Sequence, residues 1–118
     1  MDLVDDGFCI IQFIDGPDGP LSDYVHIESN SGYERHTGIP GIVGKTVFDV
    51  SPQDGAEWVK IYRRVLDTGQ PIRFERRFAE IDRHIEVSAT LADSVEQGRV
   101  AVLFRDITER KRAEKALR

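Results

Sequence analysis

Between Asp54 and Gly69, apolar side chains recur every three or four residues, at Trp58, Ile61, Tyr62, Val65 and Leu66. That spacing makes one apolar stripe along a helix. Lys60, Arg63 and Arg64 fall on the other side, so the helix has a single face to bury and needs a second layer to receive it. Asp54 stands where the helix opens, Gly69 where a left-handed C-cap belongs, and Pro71 just beyond, which fixes both ends.

The residues that follow supply the second layer. In Arg83–Leu91, the side chains of Ile85, Val87, Ala89 and Leu91 alternate with His84, Glu86, Ser88 and Thr90, the period of a half-buried strand. Ile72–Glu80 and Arg99–Asp106 are two further strand candidates. Val100–Phe104 is nearly continuous apolar sequence, which predicts a central strand covered on both faces. Upstream, the apolar run Phe8–Ile14 is stopped by Asp15–Pro20 with its four Gly and Pro residues, and Tyr24–Ser29 alternates again, which predicts a hairpin.

Between hairpin and long helix, Asn30 and Ser31 are placed to cap a short helix over Tyr33–Thr37, with Gly38 ending it. Gly38–Gly44 is too rich in Gly and Pro for a regular element, and Val47, Phe48 and Val50 bring the chain back to the core. The acidic stretch Met1–Gly7 reads as the frayed end of an upstream helix and Asp93–Gly98 as a polar connector. From Thr108 onward helix propensity is high, with only Ala113, Ala116 and Leu117 to begin a stripe. The order of elements implies an α+β domain: a five-stranded antiparallel sheet with short helices and one long helix packed on one face.

A chain of 118 residues suits one core. Sixteen basic against 21 acidic residues give a net charge of −5, which argues against a nucleic-acid-binding face. No apolar run reaches the ~18 residues of a membrane span, and nothing reads as a signal peptide. The lone Cys9 excludes an internal disulfide and a thiolate-rich metal cluster. These features read as a cytoplasmic domain with neither nucleic-acid partner nor direct membrane insertion. His26, His36 and His84 fall on a strand, a short-helix region and another strand, and Cys9 lies in an apolar strand. Such a scatter offers neither a nucleophile–base pair nor a zinc set. Gly38, Gly41 and Gly44 lack the strand-to-helix context of a phosphate loop. No catalytic residue and no metal site is assigned, and the domain is not expected to be an enzyme.

Three motifs in order carry a family likeness over nearly the whole chain. Asp106-Ile-Thr-Glu-Arg-Lys111 is similar to the ending of very many PAS domains, where the last strand passes into an output helix. Asn30–Gly38, followed by Gly44-Lys-Thr and Ser51-Pro52, resembles the first helix of that family and its sequel. Thr68-Gly-Gln-Pro71 before Phe74-Glu75 resembles the end of the long helix and the next strand. The chain thus resembles a PAS domain, the sensor module of bacterial and archaeal signalling proteins.

The resemblance implies a ligand cleft between the long helix and the inner face of the sheet. Trp58, Ile61, Tyr62 and Val65 would form its helix wall, Ile85, Val87, Ala89, Val100, Val102 and Phe104 its floor, and Phe48 one end. Arg76 or Arg77 is a candidate to reach an acidic ligand. Flavin photoreceptors of the superfamily carry a reactive cysteine where Val47 stands here, and an isopropyl group forms no thiol adduct. Haem-binding relatives commonly use a histidine of the long helix; residues 54–69 have none, which leaves only His36 nearby. The order of expectation is no cofactor or an unidentified small ligand, then haem, then flavin.

Asp106, Ile107 and Thr108 are the implied signal-transfer residues. Asp106 and Thr108 are suited to cap a helix with Glu109 in its first turn. Residues 1–107 would then be the sensor domain and 108–118 the start of a coiled-coil signalling helix whose heptads run beyond Arg118. The function implied is the sensory module of a multidomain sensor histidine kinase, which senses a small ligand or mediates dimerisation. Its partners would be a C-terminal kinase or other output domain, a small-molecule ligand and a second copy in a weak homodimer; the parent could be membrane-anchored elsewhere. The alternatives are a module of a diguanylate cyclase or phosphodiesterase, an adaptor with a filled core, and a stand-alone enzyme or carrier using the same cleft.

Overall fold

The computed structural model describes residues 6–78, 82–92 and 98–116. Five strands, β1 (Gly7–Gly16), β2 (Gly19–Ser29), β3 (Ile72–Phe78), β4 (Arg83–Leu91) and β5 (Arg99–Asp106), form one antiparallel sheet in the order β2-β1-β5-β4-β3. Four helices accompany them: α1 (Ser31–Thr37), α2 (Val47–Val50), α3 (Gly55–Thr68) and α4 (Thr108–Ala116). The α+β architecture is the one the element order implies. The strand expected over Ile72–Glu80 ends at Phe78, with 79–81 outside the described residues; so are 1–5 and 93–97, which hold most of the expected acidic start and polar connector.

Strand parity decides what the sheet presents to α3. Cys9 and Ala89 flank Val102 on β5, and Ile11 and Leu91 flank Val100. Cys9, Ile11, Val100, Val102, Ile85, Val87 and Ala89 are all essentially without solvent contact. The opposite face is different. Leu103 is 38% exposed and Ala101 only half-buried, so β5 is central, as its apolar run suggests, but covered on one face only among the described residues. Its outward apolar side chains account for the run that resembled a doubly covered strand.

Helix α3 lays Trp58, Val59, Tyr62, Val65 and Leu66 on this floor. Ile61, at the flank of the stripe, is only partly buried and borders a groove shared with Ile72 and Phe74. Gly69 ends the helix at φ 71°, donating its N–H to the Val65 carbonyl at 2.8 Å. Asp54 precedes the first turn, but its carboxylate makes no capping bond.

The small helices are tied in by side-chain caps. Asn30 Oδ1 accepts from Tyr33 N–H at 3.0 Å and from Phe8 N–H at 2.9 Å, so one amide starts α1 and pins it to β1. The close approach there needs Gly7, because a Cβ on it would sit 2.9 Å from the Tyr33 Cα. Helix α2 begins with a reciprocal capping box between Thr46 and Asp49. The sequence returns Val47, Phe48 and Val50 to the core without predicting a helix there. The Phe48 ring lies against Gly55, within 2.6 Å of where a Cβ would stand, and so locks α2 to the first turn of α3.

Candidate functional site

The cavity between α3 and the inner sheet face is lined by Cys9 and Ile11 of β1, Tyr24 and His26 of β2, Tyr33 of α1, and Val47 and Val50 of α2 with Ser51; Trp58 and Tyr62 of α3, Phe78 of β3, and Val102 and Phe104 of β5 complete it. Its free volume is about 20 Å³, room for one water-sized guest. Aromatic rings fill the rest. Trp58 stacks on Tyr62 (centroids 5.7 Å apart, planes at 20°) and on Phe78 (5.3 Å, 26°). Tyr24 meets Tyr62 edge-on at 5.7 Å, and Tyr33 meets Phe104 edge-on at 5.4 Å. Both geometries are favourable for ring quadrupoles.

Of the expected cleft residues, Trp58, Tyr62, Val102 and Phe104 line this cavity. Val65, Ile85, Val87, Ala89 and Val100 are fully buried in the core elsewhere, Ile61 faces the outer groove, and Phe48 packs on Gly55 rather than closing one end. Arg76 sits outside, its guanidinium 4.8 Å from the centre of the Trp58 ring and 3.5 Å from Glu57, while Arg77 pairs with Asp82. Sequence reasoning missed the wall built by β1, β2 and α1, and with it Val47, Val50, Ser51 and Phe78. One signal was available: Gln12, the only polar residue in Phe8–Ile14, marks the outer parity and so turns Cys9, Ile11 and Phe13 inward.

The family model for the PAS fold matches residues 22–112. The chain belongs to the PAS family. Solved structures agree on the fold of this PAS domain. It superposes on a domain of an HTR-like protein from Haloarcula marismortui with a TM-score of 0.65 at 18% identity, covering 89% of this chain and 100% of that one. A sensory box sensor histidine kinase from Vibrio cholerae gives 0.63 at 14%, covering 89% and 81%. The PAS domain of BvgS from Bordetella pertussis gives 0.51 at 16%, covering 97% and 84%. No curated protein matches the chain.

Flavin and haem, which the family admits, do not fit this PAS domain as folded. About 20 Å³ falls short of the several hundred a cofactor pocket needs. Val47 stands in the wall, and His36 lies outside it, its Nδ1 accepting the Asp106 N–H at 2.9 Å. Among the described residues no three His, Cys, Asp or Glu side chains group as a metal would require, and no helix is long and apolar enough to cross a membrane.

Among the described residues the cavity lining carries no carboxylate, ammonium or guanidinium group. Burial pushes the Cys9 thiol far above its usual range, and likewise the Tyr24 and Tyr62 hydroxyls. The thiolate is the reactive form, so a maleimide should label Cys9 only as fast as the domain opens. The check is labelling rate against denaturant concentration; rapid labelling of the folded protein would contradict it.

His26 is buried, with Nδ1 2.7 Å from the Lys45 carbonyl. A carbonyl only accepts, so Nδ1 carries the hydrogen and Nε2 the lone pair. Burial lowers the pKa of the ring, against the opposing hydrogen bond to Lys45. The folded value thus lies below the ordinary ~6.5. As pH falls through that ordinary value the unfolded chain takes up a proton that the folded chain refuses, and stability is lost until the folded value is reached. Urea titrations from pH 7.5 to 5 should show this decline, and His26→Gln should flatten it; an equal slope in the variant would contradict the assignment.

The strand that floors the cavity ends at the root of α4. The Asp106 carboxylate accepts from Thr108 N–H at 2.9 Å and Thr108 Oγ1–H at 2.6 Å, and lies 3.7 Å from Arg83. Thr108 Oγ1 in turn accepts from His84 N–H at 3.0 Å, and the buried Ile107 donates its N–H to the His84 carbonyl at 2.8 Å. The three expected transfer residues thus clamp the helix root to β4. Beyond the root, α4 buries no side chain; Glu75 on the outward face of β3 holds it through Arg110 (2.8 Å) and Lys111 (2.7 Å).

Proposed function

We propose that this PAS domain is the sensory module of a multidomain sensor histidine kinase. A change in cavity packing moves β5, and Asp106, Ile107 and Thr108 pass the movement to α4, which continues as a coiled coil into the output domain. The observation that carries this reading is the continuity of one strand. Val102 and Phe104 line the cavity, and two residues after Phe104 the same strand ends in the carboxylate that caps α4. On this reading residues 1–107 are the sensor, 108–118 begin the signalling helix, and the module works as a cytoplasmic homodimer. The kinase assignment draws support from the fold shared with a sensor histidine kinase of Vibrio cholerae; a diguanylate cyclase or phosphodiesterase parent would use the same joint.

The small free volume favours a second reading, an adaptor whose filled core accepts no ligand. A fusion of this chain to a histidine-kinase transmitter, joined in heptad register, separates the two. Under the sensory reading, Val102→Ile, which adds one methylene to the cavity, and Asp106→Ala, which frees the helix root, each change the autophosphorylation rate several-fold. Under the adaptor reading, Val102→Ile leaves the rate unchanged.

A further inference from the structure

We propose that the cavity binds a small uncharged molecule through a hydrogen-bond acceptor, with Trp58 Nε1–H and Tyr62 O–H as its two donors. This names a ligand class for the sensory reading, and rests on that reading only in taking the cavity as the input site. The indole nitrogen of Trp58 and the hydroxyl of Tyr62 are both buried and have no hydrogen-bond partner. Their residues are 3% and 2% exposed, and both line the cavity. A buried donor without a partner is a standing cost to the fold, and two occur one turn apart on one face of α3, on rings stacked at 5.7 Å.

The chemistry of the walls narrows the guest. Indole only donates, and a phenol hydroxyl can donate, so the guest must bring an oxygen or nitrogen lone pair. Among the described residues no carboxylate, ammonium or guanidinium lines the cavity. The hydroxyls of Tyr24, Tyr33 and Tyr62 are held un-ionised by burial, and the His26 ring is held toward its neutral form. An ion entering here would lose its hydration with no countercharge to replace it, so the guest is neutral. Its size is set by the free volume of about 20 Å³. A single heavy atom with its hydrogens enters with little change in the lining, and a guest of two or three heavy atoms requires the stacked rings to shift.

The chain contains one tryptophan, so its indole N–H gives one resonance in a ¹⁵N–¹H spectrum. Formamide, formate and formamidinium share a planar frame of three heavy atoms and carry no charge, a negative charge and a positive charge. Formamide should shift the indole resonance downfield and saturate, with a dissociation constant of roughly 0.5 mM or weaker, the ceiling for three heavy atoms. Formate and formamidinium should bind at least tenfold more weakly, and Tyr62→Phe, with its folded amide spectrum retained, should weaken formamide at least fivefold. An indole signal that stays still, drifts without saturating, or answers all three probes alike overturns the proposal. So does a response to xenon but not formamide, which marks a dry apolar void, or a resident water that formamide fails to displace. The amides of Thr108–Lys111 report separately on the sensory reading. If the indole saturates while they stay unmoved, the ligand class stands and the input role fails.

Discussion

Replacing Trp58 with Ala should destabilise the domain by about 3–5 kcal/mol, the range for deleting a buried aromatic side chain, with no change in denaturant slope in a two-state transition. Trp58 is 3% exposed and stacks on Tyr62 and Phe78, with Phe74 at 6.2 Å and the Arg76 guanidinium over its outer face. The ring therefore joins α3 to β3, whose inner face carries only Ile72, Phe74, Arg76 and Phe78. A loss of this size is a large part of a typical domain stability. Trp58→Phe keeps one ring in the stack and removes a donor that has no partner, so it should cost only about 1–2 kcal/mol. Urea midpoints of the two variants provide the check. Equal losses would mean that the indole N–H, rather than ring packing, holds the helix.

Asp106→Ala should unfasten α4 while leaving the sheet intact. The carboxylate caps two donors of Thr108 and faces Arg83, and losing such a cap costs about 0.5–2 kcal/mol. Almost all of the loss should fall on the helix, because α4 has no buried side chain to hold it otherwise. Hydrogen exchange should therefore quicken by roughly 2- to 30-fold over residues 108–116 and change little in β4 and β5. Burial pushes the carboxyl of Asp106 up, but the hydrogen bonds from Thr108, with Arg83 and His36 nearby, outweigh it and set the pKa below its ordinary value. The sign follows. The carboxylate's contribution is complete above the ordinary ~3.9 and disappears as pH falls through the folded value. Exchange protection of α4 should be lost at acid pH in the native domain, and in Asp106→Ala the acid loss should shrink to the part carried by Glu75, whose carboxyl Lys111 and Arg110 hold below its ordinary value.

The ends of β4 and β5 were legible because alternation and flanking polar residues fix them together, and α3 because Gly69 and the stripe agree. Most of the cavity lining was not. Phe8–Ile14 is apolar on both faces of its strand, so period two gives almost no sign of which face is inner, and only Gln12 breaks the tie. Tyr33 and His26 reach the cavity through the placement of α1 and β2, a tertiary fact that no local pattern carries. Helix α2, at four residues, is too short for periodicity; its one sign was the Thr46 to Asp49 spacing, with Asp where a capping box more often has Glu or Gln. The floor was read too broadly, since parity places Ile85, Val87 and Ala89 inward but does not say which inward residues touch the free volume. The same apolar run that located β5 overstated its cover, because Leu103 points to the open face.

Packing at the cavity should be felt at the root of α4. Cysteines introduced at Glu86 on the outer face of β4 and at Lys115 on α4 would carry spin labels, since Cys9 is buried and protonated. The distance between the labels, measured by pulsed dipolar spectroscopy in this background and with Val102→Ile added, tests the coupling directly. A single narrow distance that shifts or splits with Val102→Ile, while the stability stays within about 1 kcal/mol, is the predicted result. A distribution that Val102→Ile leaves unchanged, but that Asp106→Ala broadens, would show a helix hinged at Asp106 and deaf to the cavity, contrary to the account.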